Sequence, residues 1–548
     1  MTTREVSVPQ PDTGLDDRPR GSGFGSLLRA EWIKFRSVRG WVIGMIIAAI
    51  LTMFFDVFVA ANGSIGCGIN GGPTQTGKAC LPYVPHGPGG EVVTDSFSFV
   101  RQPLTGNGTI TARVTALTGE RGNPNGGPQQ AGSGPDMVPG IVPWAKAGII
   151  IKQSTHQGSA YAAMMVTGSN GVRMQYDYTG DIAGMPGKPS AAHPRWLRLT
   201  RSGDTITGYD SANGTHWTQV GTVQLAGLPS TVQVGMFATS PNYTVTQNSF
   251  GGGNINSVNT QATGVFDHVS VTGQSPGTWT YTAVGGGGPL GLGPKSAGNS
   301  GPPLYTRTGS TFKLTGSGDI APVTPGPGGG LPTVTIGQSL VGVFLGLIAI
   351  AVVAAMFFTA EYRRGLIRTT LAATPRRGSV LAAKAVVIGA VAFVTGLIAV
   401  AVSIAVGVPR EENQGQVLLP ATGLTELRVI VGTAAMLALA AVLAVCLGAI
   451  LRRSAAAITV AILLVFVPFL LALLNIVPAS VGAWLLRVTP AAAVAIEQSI
   501  PRYPQVQTFV SPVRGYYPLS PYAGFGVLCL WVAAAVALAL FTLRRRDA

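Results

Sequence analysis

Six apolar runs of about twenty residues, each almost free of charge, punctuate this chain. At about 1.5 Å of rise per residue, a helix of that length covers the roughly 30 Å hydrocarbon core of a bilayer. The runs are 41–61, 337–359, 385–407, 427–451, 456–477 and 523–543. Together they predict an α-helical integral membrane protein with six transmembrane helices. A hydrophobic fraction of 47% with only 11% charged residues, the apolar ones concentrated in these blocks, favours an integral membrane protein over a large soluble core.

Charge sets the expected orientation. The segments 1–40, 360–384, 452–453 and 544–548 hold 18 basic and 7 acidic residues, so they carry +11 of the formal +15. Lys and Arg are retained on the cytoplasmic side, which predicts both termini in the cytoplasm of a multi-pass plasma-membrane protein. Residues 62–335 are then extracytoplasmic. Anionic lipid is the natural partner of the excess charge. No nucleic-acid partner is expected, because no single domain clusters basic and aromatic residues.

Residues 1–23 are polar, contain Pro and Gly and lack periodicity, so a disordered tail is expected. Over 24–40, Leu28, Trp32 and Phe35 recur at helical spacing among Arg29, Lys34, Arg36 and Arg39, which predicts a basic amphipathic helix at the inner membrane surface. Asp56 interrupts the first span about a turn from its outer end, where a carboxylate reaches water. Between the fifth and sixth spans, 478–522 contains an apolar stretch broken by Arg487 and Pro490; an even number of full spans favours a re-entrant outer element over a seventh crossing. The run 385–409 and most of the later spans carry no charge, which fits a hydrophobic or lipid-linked substrate better than a hydrophilic ion path.

Cys67 and Cys80 lie in the extracytoplasmic segment, close enough to close a short disulfide loop in an oxidising compartment, whereas Cys446 and Cys529 sit in apolar runs. No metal site is expected, since His residues do not cluster with the cysteines. Between Cys67 and Cys80, residues 72–79 nearly match a phosphate loop, but Ala79 stands where a hydroxyl would bind Mg²⁺ and no strand and helix frame it. The chain therefore carries no cofactor and no ATPase of its own.

From about residue 91 to 272, short alternating stretches such as 109–114, 146–152, 172–176 and 196–201 are separated by turn residues, the pattern of an antiparallel sandwich. The succession Lys146–Lys152, Trp196–Gly203, Asn213–Trp217 and Phe266–Val271 resembles the concanavalin-like, laminin-G-like jelly rolls. That resemblance implies an all-β extracytoplasmic jelly-roll sandwich within 62–272 and, often, sugar binding. Trp144, Tyr176, Tyr178 and Trp217 are the candidate glycan-stacking residues. Its acids are scattered at turns without the paired carboxylates of a glycosidase. Residues 273–335, dense in Gly and Pro, are expected to be a linker that lets the domain tilt.

The stretch Leu28–Ser37, the sequence Glu361-Tyr362-Arg363-Arg364-Gly365-Leu366-Ile367-Arg368 with Thr374-Pro375-Arg376-Arg377 and Lys384, and the re-entrant element resemble the membrane subunit of type-2 ABC exporters. The insertion between the first two spans departs from that family. The resemblance implies a permease that pairs with a second permease, as a homo- or heterodimer, and with a cytoplasmic ATP-binding subunit holding ATP and Mg. Its ATPase-coupling residues would be Glu31, Lys34, Glu361, Arg363, Arg364, Gly365, Arg368, Arg376, Arg377 and Lys384, in the helix before the first span and the loop 360–384. The other reading is a membrane-anchored receptor or adhesin that binds glycan and does not transport.

Overall fold

The computed structural model describes residues 23–63, 66–67, 75–80, 83–123, 136–249, 252–275, 277–287, 304–325, 331–363, 377–474, 476–508 and 510–545. Eight α-helices are followed below: α1 Phe24–Ser37, α2 Arg39–Asn62, α3 Val343–Arg363, α4 Arg377–Asn413, α5 Gly423–Leu451, α6 Ser454–Leu473, α7 Ala479–Val488 and α8 Pro521–Arg545. Six of them, α2 to α6 and α8, are long and apolar enough to cross a membrane. α3 and α5 form the centre of the bundle, 67% and 61% buried, against 22% for α2 and 28% for α8, whose apolar faces are left uncovered.

α4 is far longer than the span 385–407 that its hydropathy marks. Its 37 residues extend about 55 Å, and its first turns convert the end of the expected basic loop, Arg377 to Lys384, into helix. α5 stops where Arg452 adopts a left-handed conformation (φ 56°), its N–H closing on the Gly448 carbonyl, and α6 restarts at Ser454. α7 and the 3-10 helix Pro490–Glu497 meet at 97°. Pro490 cannot donate the hydrogen bond that would continue α7. Gly524 of α8 lets that bent pair approach: a Cβ there would press on the Ala492 carbonyl.

Between α2 and α3 lies a large antiparallel β domain. Its longest strand, Phe97–Gly122, pairs through its first half with Thr231–Thr239 and through its second half with Arg195–Ser202, while Thr260–Gln274 runs along its other edge. Inward residues such as Val100, Leu104, Ile110, Ile149, Leu199, Val234 and Phe266 are fully buried in one core. The segment 273–335 is not the free linker its Gly and Pro content suggests. Thr280–Val284 pairs with Phe97–Arg101, Thr311–Gly316 with Ala262–Phe266, Tyr305–Thr308 with Thr311–Leu314, and Ile320–Pro322 with Val93–Asp95. These short strands complete sheet edges, and the partner strand, not intrinsic propensity, decides them.

The β domain is seated on the helices and does not hang from a tether. A small apolar core joins Val92 and Val323 of the domain, Val417 and Leu419 between α4 and α5, and Ile500 and Tyr516 between α7 and α8. Thr333–Val334 pairs in parallel with Val417–Leu418, and the fully buried Gln505 donates from Nε2 to the Tyr178 carbonyl at 2.7 Å. Gly66–Cys67 pairs with Gln75–Thr76, and the near-match to a phosphate loop falls partly on this small element and partly outside the described residues. The side chains of Cys67 and Cys80, and residues 1–22, also lie outside them.

Candidate functional site

At the end of the bundle farthest from the β domain, three elements are joined by four charges. Lys384 of α4 reaches Glu31 Oε2 of α1 at 2.7 Å and Glu361 Oε1 of α3 at 2.7 Å. Lys34 of α1 closes the ring on Glu31 Oε1 at 2.7 Å and Glu361 Oε1 at 3.2 Å. The quartet is neutral in sum. Lys384, Glu31 and Glu361 have side chains 1%, 3% and 12% exposed, and the Lys384 ammonium also lies 4.8 Å from the centre of the Phe357 ring.

Burial opposes the charge on Lys34, but hydrogen bonds and charge from Glu31 and Glu361 outweigh it and hold its pKa above the ordinary lysine value. Glu361 Oε2 is buried and has no hydrogen-bond partner among the described residues. Helical spacing explains how α1 contributes. Glu31 and Phe35, one turn apart, face inward, with Phe35 edge-on to Phe357 at 5.9 Å, while Trp32 stays 47% exposed.

Of the residues expected to couple to an ATPase, Glu31, Lys34, Glu361 and Lys384 are thus brought together and bonded to one another. Arg377 donates from Nη1 to the Leu543 carbonyl at 2.8 Å, tying α4 to the end of α8. Arg363 is the last residue of α3, its side chain outside the described residues, as are Arg364, Gly365, Arg368 and Arg376. A further basic contact that sequence reasoning left out is Arg452, whose guanidinium lies 5.3 Å from the Tyr362 ring centre beside the quartet.

At the β-domain end, three carboxylates that are scattered in sequence converge. Asp56 of α2 accepts the Gly342 N–H at 2.5 Å, Glu411 of α4 accepts the Ser339 hydroxyl at 2.6 Å, and Glu497 of the bent pair lies 3.5 Å from the Thr433 hydroxyl of α5. All three pack on residues 337–342: a Cβ on Gly337 would meet the Glu497 side chain at 3.1 Å, Ser339 bonds Glu411, and a Cβ on Gly342 would meet Asp56 Oδ1 at 2.9 Å. They are 2%, 5% and 2% exposed, and no Lys or Arg among the described residues forms an ion pair with them.

Asp56 therefore does not reach water, as its place near the end of a span suggests. It is folded under the start of α3, where it and Glu411 meet the unsatisfied N–H and hydroxyl groups of residues 339–342. Glu497 carried a signal that was overlooked: it is the single acid in the apolar stretch 481–500. Asp56→Asn, Glu411→Gln and Glu497→Gln keep the acceptor oxygens. Each is expected to leave the thermal midpoint of the purified protein unchanged or raised, whereas Glu497→Lys is expected to prevent folding. A marked loss in the amide variants would mean that the charges themselves hold the bundle together.

Within the β domain, the four candidate stacking residues have different fates. Tyr178 is fully buried, and its hydroxyl donates to Asp95 Oδ2 at 2.7 Å, so its ring cannot receive a sugar. Burial, followed by the Asp95 charge, pushes that phenol's pKa up. Lys152, also fully buried, donates to the same Asp95 oxygen at 2.8 Å. Burial pulls its pKa below the ordinary value, and Asp95 opposes the pull. Arg198 covers Trp217 at 3.8 Å, and Arg173 stands 5.8 Å from the Trp144 ring centre; Tyr176 packs half-buried on the core. The cluster around Asp95 was invisible in sequence, because its members are separated by turns that only the sheet brings together.

A family model described as "ABC-2 family transporter protein" matches residues 230–548, more than half of the chain. No curated protein matches. Among solved structures, the chain is similar to a functionally unknown protein from Saccharomyces cerevisiae, with 13% identity over 38% of this chain and 87% of that one and a TM-score of 0.20. It is also similar to scytalido-glutamic peptidase with a peptide-based transition state analog, with 8% identity over 42% of this chain and 100% of that one and a TM-score of 0.22. Scores this low decide nothing about fold or chemistry here.

Proposed function

The chain belongs to the ABC-2 transporter family, and from that premise we propose that it is the permease subunit of an ATP-driven exporter that moves a hydrophobic or lipid-linked substrate outward. It is a multi-pass membrane protein and a transport component, not itself an enzyme. In this reading a separate ATP-binding subunit, holding ATP and Mg, docks beneath the quartet, and a second permease completes the pore. Both termini lie in the cytoplasm of a plasma-membrane protein, and the β domain, outside, holds substrate or glycan in a jelly-roll frame.

The observation that carries the proposal is the quartet. It locks α1 to the ends of α3 and α4, so a push on either flank of the segment 364–376 is transmitted to two spans at once. Arg363, Arg364, Arg368 and Arg376 would meet acidic groups of the partner through charge-assisted hydrogen bonds. Segregation of Arg452, Arg453, Arg544 and Arg545 to the same end supports the orientation.

Purification of the intact protein from its native membrane is expected to recover an ATP-binding subunit, and Arg363→Glu with Arg364→Glu to lose most of it. If none is recovered and the charge reversal leaves export unchanged, the membrane-anchored receptor is the better reading.

A further inference from the structure

Where the β domain meets the segment between α7 and α8, the two enclose an open cleft of about 80 Å³. A buried water needs about 10–15 Å³ on this measure, so the cleft has room for several waters or for part of one six-membered ring. Its wall is chemically unusual for a contact between domains. Trp144, Thr94, Asn242 and Thr244 from the β domain and Gln507 from the facing segment all line it, and none of their side chains hydrogen-bonds to a described residue. Asp319 lines it too; one of its oxygens is taken by Lys146 at 2.6 Å and the Ile320 N–H at 2.8 Å, which leaves the other.

Elsewhere at this junction polar groups are used: Gln505, two residues before Gln507, is fully buried and bonded to Tyr178. The hydroxyls, amides, indole N–H and second Asp319 oxygen around the cleft, with Arg514 beside them, match a ligand that offers both donors and acceptors at close spacing. Vicinal hydroxyls of a sugar do this, and the apolar Val142, Val323 and proline surfaces of the same cleft suit its C–H faces. With Trp144 only 8% exposed and Arg173 over its ring, the indole serves through its edge and not as a stacking platform.

We propose that this cleft is a saccharide site between the β domain and the stretch 506–514 that follows the bent helical pair, so that a bound sugar straps the domain to that stretch. The inference rests on the reading of the β domain as glycan-binding and gives it a location different from the sandwich face around Trp217.

Full-length protein in nanodiscs is to be titrated with tetrasaccharides of glucose, galactose, mannose and N-acetylglucosamine and followed by tryptophan fluorescence and saturation-transfer NMR. Asn242→Ala, Thr244→Val and Gln507→Ala remove side chains without internal partners and are expected to fold normally, with each weakening binding about tenfold. Trp217→Ala is expected to leave binding intact. If a sugar binds and only Trp217→Ala abolishes it, the cleft is overturned while glycan binding stands. If no sugar of the panel binds, both fall.

Discussion

Lys384→Met is expected to destabilise the helical bundle by about 3–5 kcal/mol, the usual cost of removing one partner from a buried ion pair. The lysine is 1% exposed and is the bond between Glu31 and Glu361, so its loss leaves two carboxylates facing each other with Lys34 alone between them. Because the Lys34 side chain is 41% exposed, solvent screening limits what it can offset. Thermal unfolding of the detergent-purified protein, followed at 222 nm, is the measurement.

Lys384→Arg should recover only part of the loss, because a planar fork does not fit where a compact ammonium bridges two oxygens from different helices. Adding Glu31→Gln to Lys384→Met should recover more, since it removes one of the stranded charges. A wild-type midpoint in Lys384→Met would mean that the quartet is not desolvated and does not bind α1 to α3 and α4. The pH direction is a separate check. Lys34 has a raised folded pKa, so its contribution is complete below the ordinary lysine value and is lost as pH rises through the higher folded one. The quartet should therefore weaken in strong alkali.

Asp95→Ala is expected to be as damaging in the β domain, again about 3–5 kcal/mol. Asp95 Oδ2 accepts from Lys152, from the Tyr178 hydroxyl at 2.7 Å and from the Gly158 N–H at 2.9 Å, and both Asp95 and Lys152 are fully buried. Alanine strands an ammonium in an apolar core, with the Ser159 carbonyl and a phenol as its remaining partners. The domain should become trypsin-sensitive at temperatures where helical ellipticity is retained. The paired change Asp95→Leu with Lys152→Met should restore much of the protection, because it removes both charges together. Equal protection of wild type and Asp95→Ala would show that the lysine finds water. Asp177 and Tyr178, at φ 42° and 62°, form the turn that Gln505 grips, so the same variant should also loosen the seat of the domain on the α7–α8 segment.

Much of the architecture was legible because its signals are local. Twenty apolar residues in succession, the Arg452-Arg453 pair and the alternation over Thr109–Val114 each report their own segment. The strand Tyr305–Thr308 was missed for the opposite reason: its surroundings are rich in Gly and Pro, and only pairing with Thr311–Leu314 makes it a strand. α4 outran its hydropathy because helix continues through Arg377 to Lys384 once Lys384 has buried partners. The stacking residues were chosen by type, and type does not say that Tyr178 points into the core or that Arg198 lies over Trp217.

The sequence by itself determined that this chain crosses a membrane several times, that a β-rich insertion separates the first two crossings, and that positive charge gathers in the short loops. Those properties follow from hydropathy, alternation and charge, which are sums over neighbouring residues. Only the tertiary structure decided that Glu31, Lys34, Glu361 and Lys384 share one ring, that Asp56, Glu411 and Glu497 converge under the β domain, and that Gln505 seats the domain. Such juxtapositions depend on how helices from distant parts of the chain pack, since a charge is buried only when another element supplies its partner, and no single stretch of sequence names that partner.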